Sequence, residues 1–329
     1  MSKRIVATVP IDQIAIDLMR EIAPVEIAPD DQHCTLLSMM GSTIGIISRG
    51  TAHIGAEIMD AAAEAIVVAR TGTGYDNVDI DAATARGIQV VNAPVHGYAV
   101  AEAAMAMIMA LSKRLLYWHE SLVTGQWDRR IRERTEDLDS TTLGIVGLGR
   151  IGQKLVKLAS GFNMRIIASD PYVGAKEAQE LGVELVGLDQ LLEQADYISI
   201  NAVATPETKS LINRQNLKKV KPGACLVNFA RGSLIENLDI LYEALEDGRL
   251  AGVGLDVFPE EPPRDLQHPL FKHAYFMGAP HVLGSSTGAE ERVYREMCRQ
   301  IKQVFEGQRP QYLVNAEVWD SPKLRKYRK

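Results

Sequence analysis

A glycine-rich segment in the middle of the chain has the residue types and spacing of a phosphate-binding turn. Gly147, Gly149 and Gly152 form a GxGxxG pattern directly after an apolar run, Thr142–Val146, and directly before a helical pattern, Gln153–Ala159. In such a turn the first glycine permits the bend, the second lets the backbone approach a pyrophosphate, and the third lets the helix pack against the strand. The N–H groups at the helix start then face the anion, assisted by the helix dipole.

An acidic residue follows this turn at the distance expected of a dinucleotide site. Asp170 ends the next apolar run, 18 residues after Gly152. A carboxylate there hydrogen-bonds the hydroxyl groups of the adenosine ribose and repels a 2′-phosphate, so the pattern predicts NAD rather than NADP. Because glycine-rich turns are common, the alternative is that Asp170 is only a turn residue before Pro171.

Two series of alternating strands and helices are predicted to position this turn. Strand–helix–strand alternation indicates parallel sheets with helices on their faces. An Ala/Met/Leu-rich segment, Val100–Leu116, predicts a long buried helix between the two series. The predicted strands are Arg4–Val9, Ile44–Ser48, Ala65–Ala69 and Gln89–Asn92 in the first series, and Thr142–Val146, Arg165–Ser169, Tyr197–Asn201, Ala224–Phe229, Gly252–Val257 and Tyr275–Met277 in the second.

The length of 329 residues and this alternation predict an α/β protein with two Rossmann-like, doubly wound parallel-sheet domains and a cleft between them. An amphipathic helix that runs from Gly288 to about Phe305 is expected to lead the chain back to the first domain. The first domain, flavodoxin-like and discontinuous, is predicted to comprise residues 1–100 plus 307–329. The NAD-binding Rossmann domain is predicted to comprise residues 101–306, with Asp128–Asp139 as an exposed connection.

Composition narrows the range of functions. A net charge of −6 gives no reason to expect binding to nucleic acid or to a membrane, and 46% hydrophobic residues suit a globular protein. Cys34, Cys225 and Cys298 lack metal-ligand spacing, so we expect no metal and a reduced, cytoplasmic protein.

The first apolar run stops at Pro10 and does not resemble a signal peptide. The basic tail, residues 323–329, is expected to be a solvated terminus, with contact to a partner subunit or a polyanion as the alternative.

Six further segments carry motifs whose order along the chain is informative. They are Arg70–Asp79, Gly87–Pro94, Thr205–Thr208, Asn228–Gly232, Asp256–Pro262 and Pro280–His281. With the glycine turn, they resemble the D-isomer-specific 2-hydroxyacid dehydrogenases, a family that includes phosphoglycerate, glycerate, D-lactate, formate and phosphite dehydrogenases. The resemblance covers nearly the whole chain. It implies an NAD-dependent oxidoreductase, a homodimer, that moves a hydride between nicotinamide and C2 of a small D-2-hydroxy or 2-oxo acid.

The resemblance also implies roles for individual residues. Arg231, Glu261 and His281 match the catalytic trio of the family. Histidine titrates near neutral pH as a residue type, so His281 is the expected general acid and base, with Glu261 orienting it and favouring its protonated form. Arg231 is expected to hold the substrate carboxylate or to polarise the C2 oxygen.

The same resemblance assigns substrate and cofactor contacts. Substrate contacts fall on Arg231 and on the loop of the first, substrate-binding domain formed by Gly72, Thr73 and Gly74. Cofactor contacts fall on Gly147, Gly149, Arg150, Ile151, Gly152, Asp170, Ala202, Thr208, Phe229, Ala230, Asp256 and Gly284. Some phosphoglycerate dehydrogenases carry a large regulatory extension, for which we expect no room here.

Several catalytic assignments have rivals within the sequence. Arg231 is alternatively a surface ion-pair partner, although it follows an apolar strand at the edge where such sheets bind ligands. Glu260 adjoins Glu261, so the carboxylate assignment allows a shift of one residue. The histidine assignment competes with His96, His268 and His273, of which His96 is the alternative substrate contact.

The sequence departs from the family pattern at several positions. One extra residue separates His281 from Gly284, which puts the contacts of Gly284 and Ser285 in doubt. Asn201 stands where the family usually has histidine, and Tyr75 replaces an aliphatic residue. Other candidates for the pocket are Tyr98 and, for a distal anionic group, Arg49, whose alternative is a surface arginine.

Two rival functions remain open from sequence. Within the family, the rival is oxidation of phosphite or formate, which have no C2 hydroxyl. Outside catalysis, the rival is an NAD-sensing, corepressor-like binding protein that uses the same fold without turnover. The complete set of Arg231, Glu261 and His281 favours catalysis, because binding alone does not require an acid–base histidine backed by a carboxylate.

Overall fold

The computed structural model describes residues 3–325 and divides the chain into two compact units. One unit comprises Met1–His96 and Ser286–Lys329, and the other comprises Gly97–Ser285. Each unit is built on its own parallel sheet. The prediction of two parallel-sheet α/β domains is therefore confirmed.

The first unit contains a five-stranded sheet. Its strands are β1 (Arg4–Ala7), β2 (Val25–Ile27), β3 (Thr43–Ser48), β4 (Val67–Arg70) and β5 (Gln89–Asn92). They are parallel and lie in the order β2-β1-β3-β4-β5, which is the flavodoxin-like order. Neighbouring residues of one strand face different cores, as a sheet covered on both faces requires. Within this sheet, the sequence predicts every strand except β2, an edge strand with no fully buried residue.

Four short helices connect these strands. They are α1 (Gln13–Met19), α2 (His33–Met39), α3 (Ala56–Ala61) and α4 (Ile80–Ala85). Asp12 and Asp79 cap α1 and α4, since each carboxylate accepts a backbone N–H from the first turn. The helix predicted over Ile11–Ile22 is therefore shorter, because Asp12 serves as its cap.

The second unit contains a seven-stranded parallel sheet. Its strands are β6 (Thr142–Val146), β7 (Arg165–Ser169), β8 (Glu184–Leu185), β9 (Tyr197–Ile200), β10 (Ala224–Asn228), β11 (Leu250–Leu255) and β12 (Phe276–Gly278). Their order is β12-β11-β10-β9-β6-β7-β8, so the strand order reverses between β6 and β9. Open sheets of this kind bind ligands at the carboxyl ends of the strands beside the reversal. The glycine turn directly follows β6 and thus lies at this point.

Seven helices belong to the second unit, and the first of them corrects a prediction. They are α5 (Gly97–Ser112), α6 (Leu115–Val123), α7 (Arg129–Arg132), α8 (Arg150–Ala159), α9 (Ala175–Glu180), α10 (Leu188–Gln194) and α11 (Leu238–Glu246). The single helix predicted over Val100–Leu116 is wrong at its end, because Arg114 takes a left-handed conformation with φ 48° and breaks it. Leu115 and Leu116 then begin α6 and are more than half exposed.

The C-terminal helices are α12 (Thr287–Phe305) and α13 (Pro322–Arg325). The structure places α12 in the first unit, with the boundary at Ser286 rather than at residue 307. The physical reason is that the apolar face of α12, which includes Met297 and Ile301, packs into the core that also contains Ile5. Lys326, Arg328 and Lys329 of the basic tail lie outside the described residues. Within residues 3–325, no helix combines the length and the apolar character needed to span a bilayer.

Candidate active site

A histidine and a glutamate form a close pair beyond the carboxyl ends of β11 and β12. Nδ1 of His281 lies 2.7 Å from Oε2 of Glu261. The His281 side chain is 47% exposed, whereas that of Glu261 is 26% exposed. The imidazole is thus accessible while the carboxylate beside it is largely enclosed. This arrangement suits a general acid and base whose orientation a carboxylate fixes.

The backbone around this histidine is held by a buried carboxylate. His281 has φ 52°, a left-handed conformation that is uncommon outside glycine and needs support from its surroundings. Asp256 directly follows β11 and is 4% exposed. Its Oδ1 accepts the backbone N–H groups of Val282 at 3.0 Å and Leu283 at 3.3 Å. The segment after His281, with its extra residue, is therefore fastened to the end of the neighbouring strand.

Arg231 lies on a turn that Asn228 stabilises at the end of β10. The Asn228 side chain donates to the Arg231 carbonyl at 2.9 Å and accepts the Ala230 N–H at 3.0 Å. The next residue, Gly232, is required by close packing, since a Cβ there would lie 1.8 Å from the carbonyl carbon of Phe258. The Arg231 turn thus lies directly against the segment that leads to Glu261.

Burial, hydrogen bonds and nearby charges shift the pKa values of Glu261 and Asp256. Burial alone would raise the pKa of Glu261, but the hydrogen bond with His281, the Phe258 N–H and the charge of Arg231 outweigh it, so the pKa lies below its usual range. Burial raises the pKa of Asp256, which its two backbone N–H bonds oppose only in part. Glu261 is therefore ionised at neutral pH and only accepts, so the proton it shares with the imidazole belongs to Nδ1 of His281.

The residues that the sequence offered as alternatives to His281 and Glu261 have other partners. His268 accepts the Leu270 N–H and pairs with Asp239, while His273 accepts the Tyr275 N–H and pairs with Glu246. Glu260 forms an ion pair with Arg264. All three histidines thus pair with a carboxylate, but the rings of His268 and His273 each also accept a backbone N–H of their own loop. The third rival, His96, belongs to the first unit, where its ring lies near Gly72.

The glycine turn has the close contacts that its sequence pattern predicts. Gly147 has φ 95°, and a Cβ there would lie 2.6 Å from the Ala202 nitrogen. At Gly152 a Cβ would lie 2.4 Å from the Gly147 carbonyl oxygen, whereas at Gly149 it would meet nothing within 4 Å. Gly149 is the N-cap of α8 and provides no side-chain cap. The turn therefore presents an open backbone face and a helix start, which fits the pyrophosphate of a dinucleotide.

Asp170 closes this turn from the neighbouring strand. Its Oδ2 accepts the Leu148 N–H at 2.8 Å, and its Oδ1 accepts the Tyr172 N–H at 2.9 Å. The carboxylate therefore supports the glycine turn, a role in addition to the ribose contact that the sequence predicts. Each carboxylate oxygen has a further lone pair with which it can accept from a ribose hydroxyl.

The remaining predicted cofactor residues are distributed around the same edge of the sheet. Phe229 is buried after β10, and Ala202 lies against Gly147. The Thr208 hydroxyl is engaged within its own loop, donating to the Val203 carbonyl and accepting the Thr205 N–H. Arg150 and Ile151 begin α8, Ala230 lies on the Arg231 turn, and a Cβ at Gly284 would lie 2.8 Å from Val100. Their cofactor contacts stay predictions.

The predicted substrate loop lies in the first unit. Gly72 has φ 102° and accepts the Ala93 N–H through its carbonyl, while the Thr73 carbonyl accepts from the Asn92 side chain. Tyr75 is 39% exposed. Sequence reasoning missed Asn92, although an asparagine at the end of a buried strand was a usable signal.

Arg49 is not placed for a distal anion. Its guanidinium donates to Glu290 at 2.7 Å and to the Tyr294 hydroxyl at 2.5 Å. Both partners lie on α12, so Arg49 ties the end of β3 to that helix. Arg49 is therefore a partly buried residue with a structural ion pair, whereas the alternative from the sequence was a surface arginine.

Comparison with known proteins identifies the family. Residues 105–282 match the family model described as D-isomer specific 2-hydroxyacid dehydrogenase, NAD binding domain. The chain belongs to this family. The matched range contains the glycine turn, Asp170, Arg231, Glu261 and His281.

Proteins similar to this chain are named after different substrates. A D-3-phosphoglycerate dehydrogenase of Methanocaldococcus jannaschii is 37% identical over 98% of this chain, which spans only 61% of that longer protein. A glyoxylate reductase of Thermococcus onnurineus is 34% identical, with 97% of each protein covered. The crystal structure of an NAD-dependent formate dehydrogenase from Staphylococcus aureus, in complex with NAD, is 27% identical with a TM-score of 0.82 and covers 93% of this chain and 96% of its own.

Proposed function

We propose that this protein is an NAD-dependent dehydrogenase that interconverts a small D-2-hydroxy acid and the corresponding 2-oxo acid. The observation that carries the proposal is the 2.7 Å pairing of His281 with Glu261, next to the turn of Arg231. A nicotinamide cofactor, when bound at the glycine turn, would supply or accept the hydride at C2. The protein must then add or remove the proton of the C2 oxygen, which is the task of an acid–base residue.

His281 performs this proton transfer through Nε2. Glu261 holds Nδ1 as a donor, so Nε2 is the nitrogen left to exchange a proton with the substrate oxygen. Because Glu261 is ionised, it also stabilises the imidazolium that forms when an alcohol is oxidised. In the reducing direction, the same imidazolium donates the proton.

Arg231 binds and polarises the substrate. Its guanidinium offers fixed N–H donors that suit a carboxylate or a carbonyl oxygen on which negative charge develops. The turn that carries it is held by Asn228 and by the contact of Gly232 with Phe258. The guanidinium also donates to the Ala230 carbonyl at 2.9 Å, which holds the side chain against the same turn.

The substrate is proposed to be a small acid with one anionic group. Arg49 was the candidate for a second anion site, and its guanidinium is engaged by Glu290 and Tyr294. That engagement favours an acid of the glyoxylate or hydroxypyruvate type over a phosphorylated one. The similarity to a glyoxylate reductase along its whole length supports the same choice.

A homodimer in the cytoplasm completes the proposal. Apolar side chains on α6 and the segment after it are more than half exposed: Leu115, Leu116, Leu122, Val123 and Trp127. Contact with a second subunit would remove this surface from water. The three cysteines are free thiols, as in a reducing compartment.

The test is NADH oxidation with a panel of 2-oxo acids: glyoxylate, hydroxypyruvate, pyruvate, 2-oxoglutarate, phenylpyruvate and 3-phosphohydroxypyruvate. The reverse reaction is assayed with formate and phosphite, the substrates of the rival activity. We expect turnover of a small 2-oxo acid, and we expect His281→Asn to lose most of it, by about a hundredfold or more, while NADH binding is retained. Normal turnover by His281→Asn would refute the mechanism. Tight NADH binding without turnover of any compound would favour the NAD-sensing alternative.

A further inference from the structure

Two consecutive carbonyl groups of the 72–74 loop are held by the end of β5. The Gly72 carbonyl accepts the Ala93 N–H at 2.8 Å. The Thr73 carbonyl accepts the side-chain amide of Asn92 at 2.7 Å. Because Asn92 and Ala93 are adjacent, both carbonyls are held against the same strand end.

The orientation of these carbonyls determines where the neighbouring N–H groups point. In a trans peptide the C=O and N–H bonds point in opposite directions. With the carbonyls of Gly72 and Thr73 turned toward β5, the N–H groups of Thr73 and Gly74 turn away from it. Among residues 3–325 neither N–H has an acceptor. Two successive N–H groups that point the same way form an anion-binding concavity, and two donors match the two oxygens of a carboxylate.

Asn92 is itself held by a buried glutamine. Gln300 on α12 is fully buried and donates to the Asn92 carbonyl at 2.6 Å. Its side-chain oxygen accepts the Tyr312 N–H at 2.8 Å. Asn92 is only 8% exposed. A continuous set of hydrogen bonds therefore runs from Gln300 through Asn92 to the Thr73 carbonyl, all within the first unit.

We propose that Asn92, supported by Gln300, is the positioning residue that turns the Gly74 N–H toward the substrate carboxylate, beside the Thr73 N–H, whose peptide the Ala93 backbone holds. The inference rests on the proposed function for the identity of the anion. Asn92 does not contact the substrate; it acts by fixing the Thr73–Gly74 peptide. Without its side-chain amide, that peptide rotates and the paired donors lose their common direction.

The decisive variant is Asn92→Ala. The expected result is a rise of about tenfold in KM for the 2-oxo acid and in the inhibition constant of oxalate, an unreactive dicarboxylate, as the loss of one well-placed hydrogen bond implies. We expect kcat to change far less and the Kd of NADH to stay the same. Gln300→Met, which keeps the side-chain volume, should shift KM in the same direction by a smaller factor.

The matched control is Asn315→Ala. Asn315 is even more buried than Asn92 and lies in the same unit. It also bonds the β5 strand, through the Val90 N–H, but its side-chain hydrogen bonds do not reach the 72–74 loop. A general loosening of the first unit around β5 would raise KM in both variants. A rise confined to Asn92→Ala supports positioning, whereas an unchanged KM in Asn92→Ala, or an equal rise in both, overturns it.

A direct measurement separates this inference from the proposed function. The backbone amide resonances of Thr73 and Gly74 are followed in the full chain with NADH while oxalate is added. Shifts in the wild type that are lost in Asn92→Asp, which keeps the shape but removes the donor, support the inference even if the wild type turns over no 2-oxo acid. Resonances that do not move in the wild type refute it, whatever the turnover.

Discussion

Gly232 allows a direct test of how the active site is assembled, because the three atoms nearest to an added Cβ there all belong to the backbone. A methyl group added at Gly232 would lie 1.8 Å from the carbonyl carbon of Phe258 and 2.3 Å from the nitrogen of Pro259. Ordinary carbon–carbon contacts measure about 3.5–4.0 Å, so the two segments would have to separate by roughly 1.7 Å. No change of rotamer can relieve this overlap.

The separation would move the Arg231 turn away from the segment that carries Glu261. A misplacement of about 1 Å costs on the order of a hundredfold in rate, so kcat/KM of Gly232→Ala should fall by at least that factor. Overpacking should also lower the free energy of unfolding by about 1–3 kcal/mol. The assay combines NADH oxidation with the preferred 2-oxo acid and a thermal unfolding curve.

Gly187→Ala is the matched control in the same unit. A Cβ at Gly187 would meet nothing within 4 Å, and its φ of −67° suits any residue. This variant should keep the kcat/KM of the wild type and lose only a little thermal stability, because alanine is a poorer N-cap for α10 than glycine. Wild-type kcat/KM in Gly232→Ala would refute the argument that the packing of the two segments positions Arg231.

Two further predictions concern carboxylates of the second unit. Asp170→Ala should weaken the preference for NAD over NADP, since it removes the charge that repels a 2′-phosphate; an unchanged ratio of kcat/KM values for NADH and NADPH would exclude that role. Glu261→Gln should reduce turnover of the 2-oxo acid, because His281 loses its ionised partner. Because folding lowers the pKa of Glu261, the ionised carboxylate stabilises the folded state at pH values above the unfolded pKa of about 4.3. This stabilisation is lost as the pH falls through the pKa of the folded state. The difference in thermal stability between wild type and Glu261→Gln should therefore be largest near neutral pH and vanish in acid, and a difference that grows in acid would contradict this sign.

Local pattern was sufficient to predict most of the fold. The strands Gln89–Asn92, Thr142–Val146 and Arg165–Ser169 were predicted with their observed bounds, because buried parallel strands are short apolar runs between turn residues. The break at Arg114 was not predictable in this way. Its left-handed conformation is accompanied by contacts distant in sequence, an ion pair with Glu133 and stacking over Tyr275.

The chemical types of the candidate site were also determined by the sequence. The glycine spacing requires a close backbone approach at Gly147 and Gly152, and the structure shows the contacts that a Cβ would make there. The order of the motifs predicted the family of D-2-hydroxyacid dehydrogenases, to which the chain belongs. The resemblance to that family in turn assigned roles to Arg231, Glu261 and His281.

Tertiary structure alone decided which side chains of the same type act together. Glu260 and Glu261 are adjacent in sequence, yet one pairs with Arg264 and the other with His281. Asp256, predicted only as a cofactor contact, holds the backbone after His281, and Asn92 holds the Thr73 carbonyl. Such hydrogen bonds join residues that are far apart along the chain, so their geometry arises only when the strand ends are packed side by side. Local propensity predicts where strands form, but it carries no information on the distances between their ends.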